Sequence, residues 1–323
     1  MRAAVAGSAG RLAEVLAVHD VDEPAALREQ EVAVRMIAST VNPSDEVTVS
    51  GAYGSRTRFP LVPGFEGVGV VERAGVGVSR DLIGRRVLPI GSAGDWQQLK
   101  RTESDWCVPV PDDIGDEAAT FAYINPLTAV LMIERFGIGN PRNVVVTAAR
   151  STIGGHLAEL LNLRGVDPIG LVRDTSRPVV DRSRWRTVIA TDSPEWTANL
   201  AEAADGRGAD VIFDCVGGDL GPDLVAGLAP GGRLVHYGLL SGRPLPAECF
   251  AGLRGTRVDM FRLRDIVHGY PRADLGELFT PVFDHLQAGR LTTRVGARVG
   301  LSRLPDALAT PEMTGKLFID VHT

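Results

Sequence analysis

The stretch VVVTAARSTIGGHLAELL, from Val144 to Leu161, decides the fold of this chain. Its three valines are typical of a buried strand. Leu157, Leu160, Leu161 and Leu163 follow at a spacing that predicts a helix with these side chains on its inner face. The segment therefore predicts a strand, a tight turn and a helix.

The turn itself is the point at which a dinucleotide-binding fold directs backbone N–H groups and a helix N-terminus at phosphate. Here the turn keeps two glycines but carries Ala148, Ser151 and Thr152 where smaller residues are usual. The two hydroxyls can donate to phosphate, and Arg150 adds positive charge. The alternative is an ordinary helix N-terminus that Ser151 or Thr152 caps.

The chain divides into two regions that differ in their predicted secondary structure. After residue 120, the strand candidates NVVVTA, DPIGLVR, RTVIAT, ADVIFDCV and GRLVHYG alternate with helices, which predicts a parallel sheet covered on both faces. The first 120 residues are rich in short strands; among them EVAVRMIA alternates as a half-buried strand should. The tail ends in another strand-like segment. We expect a β-rich domain (1–120 and 271–323) that a doubly wound α/β domain (121–270) interrupts.

The composition is that of an ordinary globular protein. Apolar residues make up 44% of its 323 residues and charged residues 23%, and the net charge is -6. The sequence lacks the basic stripe that is typical of nucleic-acid-binding proteins, and no apolar run reaches the roughly 18 residues that span a bilayer. Three widely spread cysteines and an N-terminus without a signal-peptide pattern predict reduced thiols and a cytoplasmic protein.

A second nucleotide signal lies about 20 residues after the turn, where the next strand ends in Arg173 and Asp174. An acidic side chain at this point suits a ribose 2′-hydroxyl, whereas an arginine suits a 2′-phosphate. Because Arg173 comes first and Arg177 lies close by, the sequence favours NADPH. Asp174 keeps NADH as an alternative, and a plain solvated loop is a third.

Several motifs occur in an order that resembles one family over nearly the whole chain. They are VNPSDEVTVSGAYG, PGFEGVGVVERAGVGV, INPLTAV, FDCVGG, APGGRLVHYGLL and GKLFID. The chain resembles the medium-chain dehydrogenase/reductase superfamily, and most of all its zinc-free branch of quinone oxidoreductases and 2-enoyl thioester reductases. The resemblance implies an α/β protein with a GroES-like catalytic domain and a Rossmann-type domain. It also implies a homodimer that pairs through the edge segment TRVDMF.

The same resemblance implies a site without metal. The zinc-dependent members need Cys and His ligands, but Asn42, Pro43 and Phe65 occupy the matching stretches here, and no cysteine lies near Asn125. A zinc-free reductase must stabilise the enolate oxygen with a hydrogen-bond donor. Tyr53, between Gly51 and Gly54, matches the tyrosine of the enoyl thioester reductases and is the predicted catalytic residue.

The motifs also imply which residues bind the cofactor. These residues are Asn42, Asn125, Thr128, Arg150, Ser151, Thr152, Ile153, Arg173, Asp174, Thr175, Tyr237, Gly238, Leu239, Leu240, Phe261, Leu263 and Lys316. The alternative for Asn125 is a helix start at Asn-Pro with Thr128 packed inside, and the alternative for residues 237–240 is a simple strand end with a structural Tyr237. Simple solvation is the alternative for Lys316. Arg262 stands where the relatives have a tryptophan.

The expected function is NADPH-dependent transfer of hydride to the β-carbon of an α,β-unsaturated acyl thioester on CoA or an acyl carrier protein. The first alternative is a quinone or small-enone reductase with the same fold, because fold alone does not separate these substrates. The second is a nucleotide-binding relative without catalysis, which the altered turn and Arg262 leave open.

Overall fold

The computed structural model describes residues 1–24, 26–52, 57–137, 141–179, 181–310 and 314–323. The chain forms two compact units. The first consists of Met1–Ile124 and Ile266–Thr323, and the second of Asn125–Asp265.

The strands and helices are numbered separately in chain order. The strands are β1 (Arg2–Ala6), β2 (Leu16–Asp20), β3 (Glu31–Thr40), β4 (Gly67–Ala74), β5 (Arg86–Pro89), β6 (Leu99–Glu103), β7 (Cys107–Pro109), β8 (Val144–Val146), β9 (Ile169–Val172), β10 (Thr187–Ala190), β11 (Ala209–Asp214), β12 (Leu228–His236), β13 (Arg257–Met260), β14 (Val295–Gly300) and β15 (Lys316–Asp320). The α-helices are α1 (Leu12–Val15), α2 (Pro43–Val49), α3 (Asp116–Thr120), α4 (Ile124–Phe136), α5 (Thr152–Asn162), α6 (Trp196–Ala203), α7 (Leu220–Ala226), α8 (Leu263–Gly269), α9 (Leu275–Gln287) and α10 (Leu304–Ala309).

The second unit is built on a parallel sheet with the strand order β10-β9-β8-β11-β12-β13. All three valines of β8 are buried, as expected for a central strand with both faces covered. Val145, Ile169, Ile212 and Leu234 from four neighbouring strands lie in one apolar core. The chain reverses its direction of travel across the sheet between β8 and β11, which makes this the topological switch point.

The first unit contains a mostly antiparallel sheet with the order β14-β15-β3-β4-β5-β7, and β6 also pairs with β3. The C-terminal strand β15 returns to this sheet, where Phe318 lies opposite Thr40 in an antiparallel register. The tail is therefore an integral part of the β-rich unit.

Two local expectations were wrong. Strand β3 does not alternate: apart from exposed Arg35 and half-buried Ile37, its residues are buried, because β3 is a central strand covered on both faces. Leu163 does not join the inner face of α5, since the helix ends at Asn162 and Leu163 is 52% exposed. Leu157, Leu160 and Leu161 are buried as predicted.

Candidate functional site

The turn after β8 has the form that the sequence predicts. Ser151 caps α5, and its hydroxyl accepts a hydrogen bond of 3.1 Å from the backbone N–H of Gly154. A Cβ at Gly154 would lie 2.8 Å from the carbonyl oxygen of Ala148, so only glycine lets the helix approach the turn this closely. Ala148 has a φ of +50°, a conformation that glycine usually takes. The turn thus reaches the usual tight geometry with fewer glycines.

A cavity of about 230 Å³ opens beside this turn at the carboxyl ends of β8 and β9. It is lined by Ala148, Arg150, Ser151, Val172, Arg173, Asp174 and Arg177. Four of these residues were predicted to bind the cofactor. Arg150 and Ser151 come from the turn, and Arg173 and Asp174 come from the end of the next strand. The fold brings these two segments together.

The charged side chains around the cavity differ in whether they already have a partner. The Arg150 guanidinium lies 3.4 Å from a carboxylate oxygen of Asp174 and also donates to the Asp174 carbonyl oxygen. Hydrogen bonds from the hydroxyl and the N–H of Ser176, and then the Arg150 charge, lower the pKa of Asp174. Arg173 and Arg177 are exposed, and their guanidinium groups form no ion pair or hydrogen bond within the described ranges. The free charge at the cavity is therefore positive.

The other residues of the predicted cofactor set in this unit lie in several places. Thr152 begins α5 and Thr175 is exposed. Asn125 and Thr128 are buried in α4. Ile153 is half-buried in α5, and residues 237–240 follow β12. Phe261 follows β13 and packs on Phe136, with the two ring centroids 6.4 Å apart. Leu263 begins α8.

Tyr237 points its hydroxyl into the unit. This oxygen is buried and has no hydrogen-bond partner of normal geometry among the residues described. Burial, followed by the neighbouring Cys215 thiol, raises the pKa of Tyr237. Cys215 is itself buried, and burial raises the pKa of its thiol to about 11, so the thiolate form is disfavoured. Contact between Tyr237 and the cofactor stays a prediction, and a packing role stays its alternative.

Sequence reasoning missed a buried carboxylate at the end of β11. Asp214 accepts four hydrogen bonds: 2.9 Å from the hydroxyl of Thr147, 2.8 Å from Nδ1 of His236, and 3.0 Å from each backbone N–H of Val216 and Gly217. Thr147 also accepts 3.0 Å from the N–H of Cys215. The only signal in the sequence is an aspartate directly after an apolar strand and before two glycines, in FDCVGG.

In the first unit, Asn42 and Lys316 belong to one buried network. The Lys316 ammonium donates to the side-chain oxygen of Asn42 and, at 3.1 Å, to the carbonyl oxygen of Val41. The Asn42 amide donates at 2.7 Å to Glu66, which also accepts from the N–H groups of Tyr123 and Ile124. Burial lowers the pKa of Lys316 and raises that of Glu66. The polar atoms of Asn42 are thus already engaged within its own unit.

Two more buried carboxylates lie in the same unit. Asp45 accepts 2.7 Å from the N–H of Asn42 and 3.2 Å from that of Gly64, and burial raises its pKa to about 7. Asp95 pairs with Lys100 at 2.6 Å, and burial raises its pKa to about 6. Lys100 also donates to two backbone carbonyl oxygens. This cluster was not predicted, because its members are spread along the sequence.

Asp45 should make the protein less stable as pH rises. Because its pKa is raised on folding, the native chain holds a proton that the unfolded chain has lost between about pH 4 and about pH 7, so stability falls across this window. We expect Asp45→Asn to flatten this fall in thermal melts at pH 5 and pH 7.5. Asp22→Asn, which changes an exposed carboxylate, serves as the control. The same slope in Asp45→Asn as in the wild type would contradict the assignment.

Tyr53, the predicted catalytic residue, lies outside the described residues, since positions 53–56 are not described. Its role therefore stays a prediction. Across the described ranges, no group of three or more His, Cys, Asp or Glu side chains is arranged to hold a metal ion. In the same part of the chain, no helix has both the length and the apolar character needed to cross a bilayer.

Comparison with known proteins gives matches along most of the chain. Residues 28–124 match the family model for the alcohol dehydrogenase GroES-like domain, and residues 185–317 match that for zinc-binding dehydrogenases. The mitochondrial enoyl-[acyl-carrier-protein] reductase of Arabidopsis thaliana is 33% identical over 236 residues, which cover 69% of this chain and 61% of the relative. The Bos taurus reductase of the same name is 28% identical and covers 99% of this chain and 87% of its own length.

A solved structure matches over the whole length. The crystal structure of a candidate NADPH:quinone reductase from Bacillus thuringiensis has a TM-score of 0.89 and 31% sequence identity, and the match covers 99% of both chains. The likeness includes the GroES-like unit and the Rossmann-type unit, so the predicted fold class is confirmed.

Together with the parallel sheet and its phosphate turn, these matches establish the family. The chain belongs to the medium-chain dehydrogenase/reductase superfamily of oxidoreductases. Within it, the chain falls in the zinc-free branch that contains quinone oxidoreductases and 2-enoyl thioester reductases.

Proposed function

We propose that this chain is an NADPH-dependent reductase of an activated carbon–carbon double bond, with an α,β-unsaturated acyl thioester as its substrate. The choice of cofactor rests on one observation. Arg173 and Arg177 line the cavity beside the phosphate turn, and their guanidinium groups have no partner in the described ranges. The enoyl-[acyl-carrier-protein] reductases among the relatives support the thioester.

The cavity suits the adenosine end of NADPH. A ribose 2′-phosphate carries nearly two negative charges, and guanidinium groups bind it with charge-assisted hydrogen bonds. The competing ligand, a ribose 2′-hydroxyl, needs a free acceptor. Arg150 and Ser176 bind one oxygen of the Asp174 carboxylate, Oδ1, and the Arg150 guanidinium offsets the negative charge of this group, whereas the guanidinium groups of Arg173 and Arg177 have no such partner in the described ranges. The excess of positive charge at the cavity supports NADPH over NADH.

The chemistry of the reaction assigns roles to the protein's own groups. When bound, the reduced nicotinamide supplies the hydride that adds to the β-carbon of the substrate. Negative charge then develops on the thioester oxygen, and the phenol of Tyr53 is proposed to donate a hydrogen bond to it. A phenol keeps its proton up to about pH 10, so it is a neutral donor at physiological pH.

A second candidate function is the reduction of a quinone or a small enone. It is favoured by the full-length likeness to the candidate NADPH:quinone reductase at 31% identity. Initial rates of NADPH oxidation with crotonyl-CoA and with a benzoquinone, measured side by side, separate the two. We expect the higher kcat/KM with crotonyl-CoA. A higher value with the quinone would support the second function, and NADPH binding without turnover on any acceptor would support a non-catalytic nucleotide-binding protein.

We also propose a homodimer that pairs through β13. This strand ends the parallel sheet, so one of its edges is unpaired among the described strands. Phe250, Leu253 and Met260, in and near it, are 51%, 70% and 60% exposed. Burial of these side chains against a second copy would remove apolar area from water. Light scattering that gives the mass of a monomer would contradict this assembly.

The proposed location is the cytoplasm. It is supported by Cys107, Cys215 and Cys249, which are buried and form no disulfide. Recovery of the native protein mainly from another compartment on cell fractionation would contradict it.

A further inference from the structure

The hydrogen-bonded group of Thr147, Asp214 and His236 lies at the switch point of the parallel sheet. Thr147 directly follows β8, Asp214 ends β11 and His236 ends β12, so the group joins the carboxyl ends of three adjacent strands. In open parallel sheets of this kind, ligands bind in the crevice outside these ends, where the strand order reverses. The group therefore underlies the floor of that crevice.

These three side chains are almost entirely removed from water. Thr147 and Asp214 have no exposed surface, and His236 is 4% exposed. The Asp214 carboxylate lies within hydrogen-bond distance of four groups, of which Nδ1 of His236, at 2.8 Å, is the nearest. In such surroundings a missing hydrogen bond leaves a polar group without a partner, which is costly and moves its neighbours. The arrangement is thus held in one geometry.

The network fixes loops as well as strands. Two N–H groups of the loop after β11 bind Asp214 directly, and Cys215 binds Thr147 through its N–H. This loop binds the segment after β12 in turn: Leu240 donates 2.9 Å to the Cys215 carbonyl oxygen, and Ser241 donates 3.0 Å to that of Val216. One carboxylate therefore connects the phosphate turn that begins at Ala148 with both loops on the other side of the switch point.

We propose that Thr147, Asp214 and His236 form a positioning network, which sets the phosphate turn relative to the loops that receive the nicotinamide half of the dinucleotide. The proposal rests on the proposed function for the identity of the ligand. None of the three residues lines the cavity that holds Arg173 and Arg177. The network should therefore affect the binding of the whole dinucleotide, whose two halves must fit at once, more than the binding of the adenosine half alone.

Matched substitutions separate this role from simple stabilisation. Thr147→Val replaces the hydroxyl with a methyl group of similar size, and Thr147→Ser keeps the hydroxyl. His236→Leu removes the donor to Asp214, and His236→Asn places an amide N–H where Nδ1 lies now. The two removals act on opposite ends of the network, so each one checks the other independently of its effect on folding.

The readout is a ratio of two dissociation constants measured by calorimetry on the full chain. The probes are NADPH and adenosine 2′,5′-bisphosphate, which contains only the adenosine half with its 2′-phosphate. We expect Thr147→Val and His236→Leu to raise the Kd for NADPH about tenfold, the effect of losing one hydrogen bond to a charged group. The Kd for the bisphosphate should change by less than about twofold. The serine and asparagine variants should restore most of the NADPH affinity.

Two results overturn the inference, and they differ from failure of the proposed function. If the leucine and valine variants bind NADPH as the wild type does, or if both probes weaken in proportion, the network is structural only. If the wild-type chain binds neither probe, the proposed function itself fails, and the network has no dinucleotide to position.

Discussion

Replacing both Arg173 and Arg177 with alanine is expected to raise the Kd for NADPH about a hundredfold and to leave the Kd for NADH nearly unchanged. A hydrogen bond to a charged group contributes about 1.5–3 kcal/mol, and each tenfold change in Kd corresponds to about 1.4 kcal/mol. Both guanidinium groups are exposed, so solvent and salt keep the contribution of each one near the lower end of this range, and two contributions of about 1.5 kcal/mol correspond to about a hundredfold change in Kd. Fluorescence titration of each variant with the two nucleotides measures the ratio.

The comparison needs an arginine whose loss changes the net charge but not the cavity. Arg207→Ala supplies it, because Arg207 is exposed in the same unit and does not line the cavity. The effect of the double variant should also shrink as salt is raised from about 0.05 M to about 0.5 M, since screening weakens the wild-type interaction. An equal loss of affinity for NADH would mean that the arginines do not read the 2′ position.

The local features of the nucleotide unit follow from the sequence because short-range chemistry determines them. The valines of β8 predict a buried strand, and Ser151 with Gly154 predicts a capped helix start. The position of Arg173 follows from the length of one strand–helix–strand unit. Since parallel strands align their carboxyl ends, the sequence also predicts that the turn and Arg173 meet at one edge of the sheet.

The features that the sequence did not predict depend on contacts between distant segments. Asp214 and His236 meet because β11 and β12 are neighbours in register, a pairing that no single segment encodes. Lys316 reaches Asn42 only after the last strand has returned to β3. The burial of β3 on both faces has the same origin. A pattern along one strand indicates which side chains alternate, but its neighbours decide whether the second face is covered.

Replacing Tyr53 with phenylalanine is expected to lower the turnover of crotonyl-CoA at least tenfold, and by about a hundredfold if its hydroxyl is the main donor to the enolate oxygen. The removal of one donor from an oxyanion site typically costs about 3 kcal/mol in the transition state, or about two powers of ten in rate. The phenyl ring of the variant preserves the bulk of the side chain. Steady-state kcat and the NADPH Kd, measured on the same preparation, separate chemistry from binding.

The expected pattern is specific to a donor that acts in the transition state. The kcat and kcat/KM should fall together, because the thioester oxygen is a much weaker acceptor before hydride addition than after it. The NADPH Kd should not change. Tyr270→Phe removes another tyrosine hydroxyl from the same unit, and it should leave all three constants unaltered. Unchanged turnover in Tyr53→Phe would remove this phenol from the mechanism, because the enolate oxygen would then have to be stabilised by a different donor.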